Sequence, residues 1–252
     1  MLRTIAGRRV LVDGRWLDDA EVQVDEHGTI VGVGPATEPV PDVVLAPGLV
    51  DLQVNGIDDV DCTTADGADW ERPDGLPLAQ GVTAWSPTLI TMRLGRFTAP
   101  LERIATAMHR DPAGRPHIVG AHLEGPFLGE APGAHRRELI VPIDLAWLRD
   151  LPSHVAMVTL GAEQPDAGVA IRLLRERGVL VSVGHSTAAH DAVEAAFDAG
   201  ASFHAAVEAE KESIIFYNGI KEYFEDKTEI QKIIQEEQKH LLDLLSLPDA
   251  RK

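Results

Sequence analysis

The sequence predicts an α/β fold: an incomplete (β/α) barrel that follows a small N-terminal β unit and precedes an α-helical hairpin. Three observations support this class. The N-terminal part contains β-branched runs separated by turns, the middle alternates strands with helices, and the C-terminal part has two amphipathic helical patterns. We place the β unit at residues 1–45, the partial barrel at 46–204 and the hairpin at 205–248.

The N-terminal β unit is predicted from three short strands at 3–12, 20–25 and 29–34. Asp-Gly at 13–14 and His-Gly at 27–28 are turn sequences between them. Short strands joined by such turns form an antiparallel unit.

The partial barrel is predicted from strands that alternate with helices, a pattern typical of βαβ units and a parallel sheet. The predicted strands are 49–54, 82–85, 118–122, 155–160 and 180–184, with a sixth candidate at 201–204. The predicted helices are 96–109, 144–149, 166–177 and 188–199. An eight-unit barrel takes about 250 residues. Only roughly 160 are available here, so two or three units are expected to be absent.

The C-terminal segment has apolar residues at helical i, i+3, i+4 spacing over 207–225 and again over 229–246. Thr228 and Gln231 fit a capping box that opens the second helix, and Pro248 ends it. Two such helices joined by a short turn form a hairpin whose apolar face must pack against something else.

Composition changes abruptly near residue 206. All six lysines and both tyrosines lie after position 210, whereas all four tryptophans lie before position 206. A basic residue on an exposed helix can usually be either Arg or Lys, so a fold does not require this complete switch. It indicates two segments of different ancestry joined in one chain.

The formal net charge of −17 at pH 7 argues against a nucleic-acid partner, because phosphate binding needs clustered Lys and Arg. No apolar run approaches the roughly 20 residues that span a bilayer, so no membrane partner is expected. Cys62 is the only cysteine, which excludes an intrachain disulfide. We expect a cytoplasmic protein without a signal peptide.

Polar residues end three of the predicted parallel strands. Glu124 follows one strand, His185 follows another, and Gln53 and Asn55 end the first. In barrels the carboxyl ends of the strands carry the active site. A carboxylate and an imidazole suit a divalent metal such as zinc, although each residue alone also fits an ordinary loop or turn position.

The segment from the N-terminus to about residue 203 resembles the N-acetylglucosamine-6-phosphate deacetylase family of the amidohydrolase superfamily. The resemblance is carried by the strings at 47–56, 81–91, 122–127, 133–135, 159–163 and 184–186. It implies that Glu124 and His185 bind a divalent metal, zinc or iron, and that His135 contacts the sugar. Gln53 and Asn55 stand where many superfamily members have a His-x-His pair, which implies one metal and a substrate-binding role. The implied ligand is an amino-sugar phosphate.

The resemblance stops before the family's remaining functional residues. The position of its third metal ligand, a histidine, is Ala206 here, and His204 lies two residues earlier. A shift of two residues along a strand moves a side chain by about 6.6 Å. The family's catalytic Asp has no counterpart. We therefore expect that none of the residues named above is catalytic. We also expect that the protein is related to the deacetylases but inactive.

Residues 205–247 resemble one helix pair of the rubrerythrin branch of the ferritin-like family. The resemblance is carried by the strings at 207–217 and 236–240 and implies Glu210, Glu237 and His240 as iron ligands. A homodimer through this tail would complete a four-helix site. The alternatives to a deacetylase-related protein are therefore an iron-binding hairpin that dimerises, or a non-functional chimera.

Overall fold

The computed structural model describes residues 2–202 and seven later positions: 228, 231, 232, 234, 235, 238 and 242. The chain divides into two compact units, the first ending at Leu49 and the second beginning at Val50.

The first unit is a four-stranded sheet. Its strands are β1 (Arg3–Val12), β2 (Arg15–Val24), β3 (Ile30–Pro35) and β4 (Val44–Leu45), and their order in the sheet is β3-β2-β1-β4. β2 runs antiparallel to both β1 and β3, and β4 pairs with β1 in parallel. Asp13 and Gly14 have positive φ values of 47° and 72°, which is the backbone that a two-residue hairpin turn needs.

β2 begins five residues earlier than the sequence predicted. Arg15–Asp19 is largely polar and exposed, so it carries no apolar alternation that would mark a strand. It is a strand because it pairs with β1 across the tight turn, in the register Val12 to Arg15. Four apolar side chains of β1 and β2 form a small buried cluster: Val10, Ala20, Val22 and Val24.

The second unit contains a larger sheet. Its strands are β5 (Leu49–Val54), β8 (Val82–Ile90), β9 (His117–Ile118), β10 (Ala121–Glu124), β11 (Val155–Leu160) and β12 (Leu180–Val183). Their order in the sheet is β12-β11-β10-β8-β5, with β9 beside β8. The pairs β8–β10, β10–β11 and β11–β12 are parallel. Among the described strands, β5 and β12 are the two ends of the order. A two-stranded hairpin, β6 (Gly56–Ile57) with β7 (Val60–Asp61), follows β5.

Helices of the second unit follow these strands in the chain. They are α1 (Glu71–Ala79), α2 (Thr98–Met108), α3 (Leu145–Arg149), α4 (Ala167–Glu176) and α5 (His190–Ala199). α4 illustrates the amphipathic pattern from which the helices were predicted. Its residues at i, i+3, i+4 and i+7 are all buried: Ala167, Ala170, Ile171 and Leu174. Burying this stripe against the sheet supplies most of the helix's stability.

The sequence prediction missed α1. Gly75 and Pro77 fall inside it, and these residue types ordinarily interrupt a helix, whereas Pro73 lies in the first turn, where proline is tolerated. The helix is held instead by its surroundings. A 3₁₀ turn capped by Asp66 precedes it, and Trp70 at the junction is buried in the core.

β8 is longer than predicted, and the strand predicted at 118–122 is divided into β9 and β10. β8 continues past Trp85 because the hydroxyls of Ser86 and Thr88 find partners inside the sheet. Ser86 Oγ donates to the Gly120 carbonyl at 2.7 Å, and Thr88 Oγ1 accepts from Val54 N at 3.0 Å. Gly120, with φ of 143°, separates the two short strands.

Several predictions about the C-terminal part concern residues that the structure does not describe. His204, Ala206, Glu210, Glu237 and His240 all lie outside the described residues.

The described positions at this end of the chain are few. Ala201 and Ser202, the described part of the sixth strand candidate, are in no strand. The seven later positions are helical; Ile234 is buried, whereas Leu242 is 67% exposed. Within the described residues, no helix is both long and apolar enough to cross a membrane.

Candidate metal centre

Glu124 is the centre of a polar cluster at the carboxyl ends of the parallel strands. It is the last residue of β10, whereas His185 follows β12 and His135 lies in the long loop after β10. Glu124 Oε1 lies 2.9 Å from His185 Nε2 and 3.5 Å from His135 Nε2. The structure therefore brings together three residues that the sequence singled out, across as many as 61 positions of the chain.

Two amide side chains, one in β5 and one directly after it, complete the surroundings of Glu124. Gln53 Nε2 donates to Glu124 Oε1 at 3.1 Å, and Asn55 Nδ2 donates to Glu124 Oε2 at 3.2 Å. The two amides fix the plane of the carboxylate through both of its oxygens. Within the described residues, Gln53 and Asn55 thus donate hydrogen bonds to the Glu124 carboxylate. Their expected role in substrate binding stays a prediction.

The carboxylate of Glu124 is held in its ionised form. Burial raises the pKa of Glu124, but hydrogen bonds and charge from His135 and His185 lower it more, so the pKa lies well below the ordinary value. A buried carboxylate that stays ionised is the form that binds a cation.

The cluster fits a divalent metal by its chemistry. Glu124, His135 and His185 each offer one ligand atom, and these atoms all lie within 4.8 Å of one another. One carboxylate oxygen and two imidazole nitrogens form a donor set that zinc accepts. The His135 side chain is only 7% exposed, and its Nδ1 has no hydrogen-bond partner among the described residues. A buried polar atom in this condition marks a place where a further group is expected to bind.

The backbone of His185 is in an unusual conformation. Its φ of 54° lies in the left-handed region, which costs a residue with a Cβ about 1 kcal/mol or more. The carbonyl of His185 accepts a hydrogen bond from Gly129 N at 2.9 Å, which connects the loop after β12 to the loop after β10. The imidazole packs edge to face on the His135 ring, with centroids 4.5 Å apart.

His122 lies two residues before Glu124 and is fully buried inside the sheet. Its Nδ1 lies 3.0 Å from the Leu52 carbonyl, and its Nε2 lies 2.8 Å from Thr159 Oγ1. A carbonyl only accepts, so Nδ1 carries the proton and Nε2 accepts from the hydroxyl. Burial lowers the pKa of His122 to about 4, so the ring is neutral and joins strands from both sides of β10.

Sequence reasoning assigned no role to His122, Thr159 or Glu163, although all three belong to the strings that carried the resemblance. A polar residue inside an apolar strand is the signal that was available for His122 and Thr159. It identifies a buried polar group but does not identify its partner. Glu163 contacts both loops of the candidate centre.

Curated proteins similar to the chain are amino-sugar phosphate deacetylases. The chain is 34% identical over 219 residues to N-acetylgalactosamine-6-phosphate deacetylase of Escherichia coli O157:H7, a match that covers 80% of the chain and 55% of that protein. It is 34% identical over 206 residues to N-acetylglucosamine-6-phosphate deacetylase of Vibrio furnissii, covering 77% and 51%. No model of a known protein family matches the chain.

Solved structures similar to the chain include N-acetylglucosamine-6-phosphate deacetylases as well. A mutant N-acetyl-D-glucosamine-6-phosphate deacetylase of Mycobacterium smegmatis, in complex with N-acetyl-D-glucosamine-6-phosphate, matches with a TM-score of 0.68 at 27% identity, over 80% of the chain and 54% of that structure. The Thermotoga maritima enzyme matches with a TM-score of 0.68 at 26% identity, over 79% and 53%. The sheet of the second unit is therefore a curled, parallel half-barrel. The chain is homologous to the N-acetylglucosamine-6-phosphate deacetylases and spans about half the length of the curated relatives it matches.

Proposed function

We propose that the second unit binds one divalent metal ion through Glu124 and His185, and that this centre serves the deacetylation of an N-acetylated amino-sugar phosphate. The observation that carries the proposal is the 2.9 Å contact between Glu124 Oε1 and His185 Nε2 at the carboxyl edge of the half-barrel. The substrate class is taken from the relatives, which are named for deacetylation of N-acetylglucosamine and N-acetylgalactosamine 6-phosphates.

Each residue of the centre has a distinct task in this proposal. A divalent metal supplies a Lewis acid for amide hydrolysis when it is bound. Glu124 and His185 hold the ion, and the low pKa of Glu124 keeps this carboxylate ready to bind it. Gln53 and Asn55 hold the carboxylate plane. As amides they are poor metal ligands, which supports a single ion.

His135 is proposed to contact the substrate. Its side chain is nearly buried, and its Nδ1 faces no hydrogen-bond partner among the described residues. A hydroxyl or the acetamide group of an amino sugar would satisfy that nitrogen. The hydrogen-bonding capacity of this nitrogen therefore suits the substrates for which the relatives are named.

We further propose that turnover by this chain alone is negligible. By resemblance, the position of the family's third histidine ligand is Ala206, and the catalytic Asp has no counterpart in the sequence. Catalytic groups that act as a unit lose many orders of magnitude in rate when members are removed. Metal binding and catalytic turnover are therefore separable predictions for this protein.

Metal content and acetate release test the two predictions together. The purified chain and its Glu124→Gln variant are compared for bound zinc and iron, and for acetate released from N-acetylglucosamine 6-phosphate and N-acetylgalactosamine 6-phosphate. We expect about one ion per chain in the original protein, loss of that ion in the variant, and no acetate above background in either. Equal metal content in both proteins would contradict the proposed ligand. Acetate release that Glu124→Gln abolishes would contradict the proposed inactivity.

The iron-binding hairpin and the chimera stay predictions from the sequence. Glu210, Glu237 and His240 lie outside the described residues, and the reported relatives give no support for a ferritin-like segment or for a join. A homodimer through the tail is untested for the same reason.

A further inference from the structure

Glu163 lies three residues after β11, and its carboxylate accepts hydrogen bonds from two different loops. Oε1 accepts from Glu130 N at 2.9 Å and from Thr187 N at 2.8 Å, while Oε2 accepts from the Ser186 hydroxyl. Glu130 belongs to the loop after β10, and the other two donors belong to the loop after β12. A single side chain thus joins both loops that supply the candidate metal centre.

The two loops are the ones that carry the histidines of the centre. His135 lies five residues beyond Glu130, and His185 directly precedes Ser186. The loops also contact each other directly, since Gly129 N donates to the His185 carbonyl at 2.9 Å. Glu163 therefore braces the junction at which His185 meets the loop after β10.

His185 needs such bracing because its left-handed backbone is intrinsically unfavourable. Gly184 N, on one side, donates to the Leu160 carbonyl at 3.1 Å. On the other side, Ser186 and Thr187 donate to Glu163. Removal of the Glu163 carboxylate takes away the hydrogen bonds that hold Ser186 and Thr187, and the backbone of His185 can then relax away from Glu124.

Two glycines leave room for this arrangement. A Cβ on Gly129 would overlap the Glu163 carboxylate, and a Cβ on Gly161 would overlap the backbone of Gly129. The Glu163 carboxylate therefore packs directly against the backbone at Gly129, where no side chain intervenes. Burial raises the pKa of Glu163, but the hydrogen bonds from Ser186, Glu130 and Thr187 lower it more, so the side chain stays an ionised acceptor.

We propose that Glu163 is a positioning residue that fixes His185 against Glu124 by joining the loop after β10 to the loop after β12. This inference rests on the proposed function in one respect, since it treats His185 as a metal ligand. Glu163 itself acts through the loops and not as a ligand.

The matched pair Glu163→Ala and Glu130→Ala tests the proposal. Glu130 lies on the same loop and its side chain is exposed, but its contribution to the junction is the backbone N–H, which alanine retains. Zinc affinity is measured by competition with a chelator, and the ligand geometry is followed by the visible spectrum of the cobalt-loaded protein. We expect Glu163→Ala to weaken zinc binding about 10–100-fold and to alter the cobalt spectrum. Glu130→Ala is expected to change neither.

Milder variants keep the test decisive if Glu163→Ala does not fold. Glu163→Gln keeps one accepting oxygen but replaces the other with an amide nitrogen that cannot accept, so an intermediate loss of zinc affinity is expected. Ser186→Ala removes one donor, and Ser186→Thr restores a hydroxyl. Wild-type zinc affinity and cobalt spectrum in folded Glu163→Gln and Ser186→Ala would overturn the inference.

A metal-free measurement separates this inference from the proposed function. The imidazole ¹⁵N shifts of His185, assigned with a His185→Ala variant, report its contact with Glu124 without any ion. If the original protein binds no divalent metal, the proposed function fails. The shifts still decide the role of Glu163: they should move in Glu163→Gln and stay fixed in Glu130→Ala, and unchanged shifts in both variants would overturn it.

Discussion

Glu124 Oε1 and His185 Nε2 lie 2.9 Å apart, although 61 positions of the chain separate the two residues. The contact joins the ends of β10 and β12, which both pair with the intervening β11. It lies where an α/β barrel places its chemistry, at the carboxyl edge of the sheet.

Gln53→Glu is expected to destabilise the metal-free protein at neutral pH. The new carboxylate would stand about where Gln53 Nε2 now donates to Glu124, 3.1 Å from Oε1, so a second negative charge would lie beside the buried carboxylate of Glu124. Repulsion between them raises the pKa of one group. We expect the melting temperature to fall by several degrees, and the deficit to shrink as the pH is lowered and one carboxyl takes up a proton.

Added zinc should reverse the same defect, since a cation between two carboxylates removes the repulsion. Gln53→Met, which loses the hydrogen bond without adding charge, is the control and should show no zinc-dependent recovery beyond that of the original protein. A pH-independent deficit in Gln53→Glu, unaffected by zinc, would contradict the assigned geometry.

His122→Ala is expected to lower the free energy of unfolding by about 2–4 kcal/mol. The change leaves a cavity in the interior and removes the partner of both the Leu52 carbonyl and the Thr159 hydroxyl. Chemical denaturation measures the loss. His117→Ala removes an exposed imidazole from β9 and should change stability by less than about 0.5 kcal/mol.

Asp74→Ala is expected to destabilise the second unit by about 2–3 kcal/mol. Asp74 is nearly buried and receives two hydrogen bonds from Arg110, at 2.7 and 3.2 Å, with Arg115 at 3.5 Å. Removal of the carboxylate leaves two arginines facing each other without their shared partner. Because the Arg110 side chain is 19% exposed, water limits the loss.

The control for Asp74 is Glu102→Ala, which removes an exposed carboxylate from α2. Urea denaturation of both variants at two salt concentrations separates a nearly buried ion pair from an exposed charge. The stability loss in Asp74→Ala should depend little on salt, because a nearly buried pair is screened little. Equal stability of the two variants would mean that the Asp74 ion pair contributes nothing net to folding.

Cys62 is expected to be unreactive towards thiol reagents in the folded protein. Its side chain is fully buried, Sγ donates to the Val54 carbonyl at 3.1 Å, and burial raises the pKa of the thiol to about 12. The reactive thiolate is therefore scarce even at about pH 9. A colorimetric thiol assay should detect the cysteine only after denaturant is added, and rapid labelling without denaturant would contradict the burial of this segment.

The sequence by itself determined the parts of this protein that depend on local patterns. Alternation of apolar strands with amphipathic helices such as α4 predicted the parallel sheet, because a helix must bury its apolar stripe on that sheet. Strand ends predicted the positions of Glu124 and His185, because parallel strands present their carboxyl ends at one edge.

The tertiary structure alone decided the parts that depend on partners distant in the chain. α1 forms despite Gly75 and Pro77 in its interior, because its packing outweighs weak local propensity. His122 and Glu163 acquire their roles from Leu52, Thr159 and two loops, which no sequence spacing brings together. Hydrogen bonds across a sheet depend on register, and register is fixed only when the strands pair.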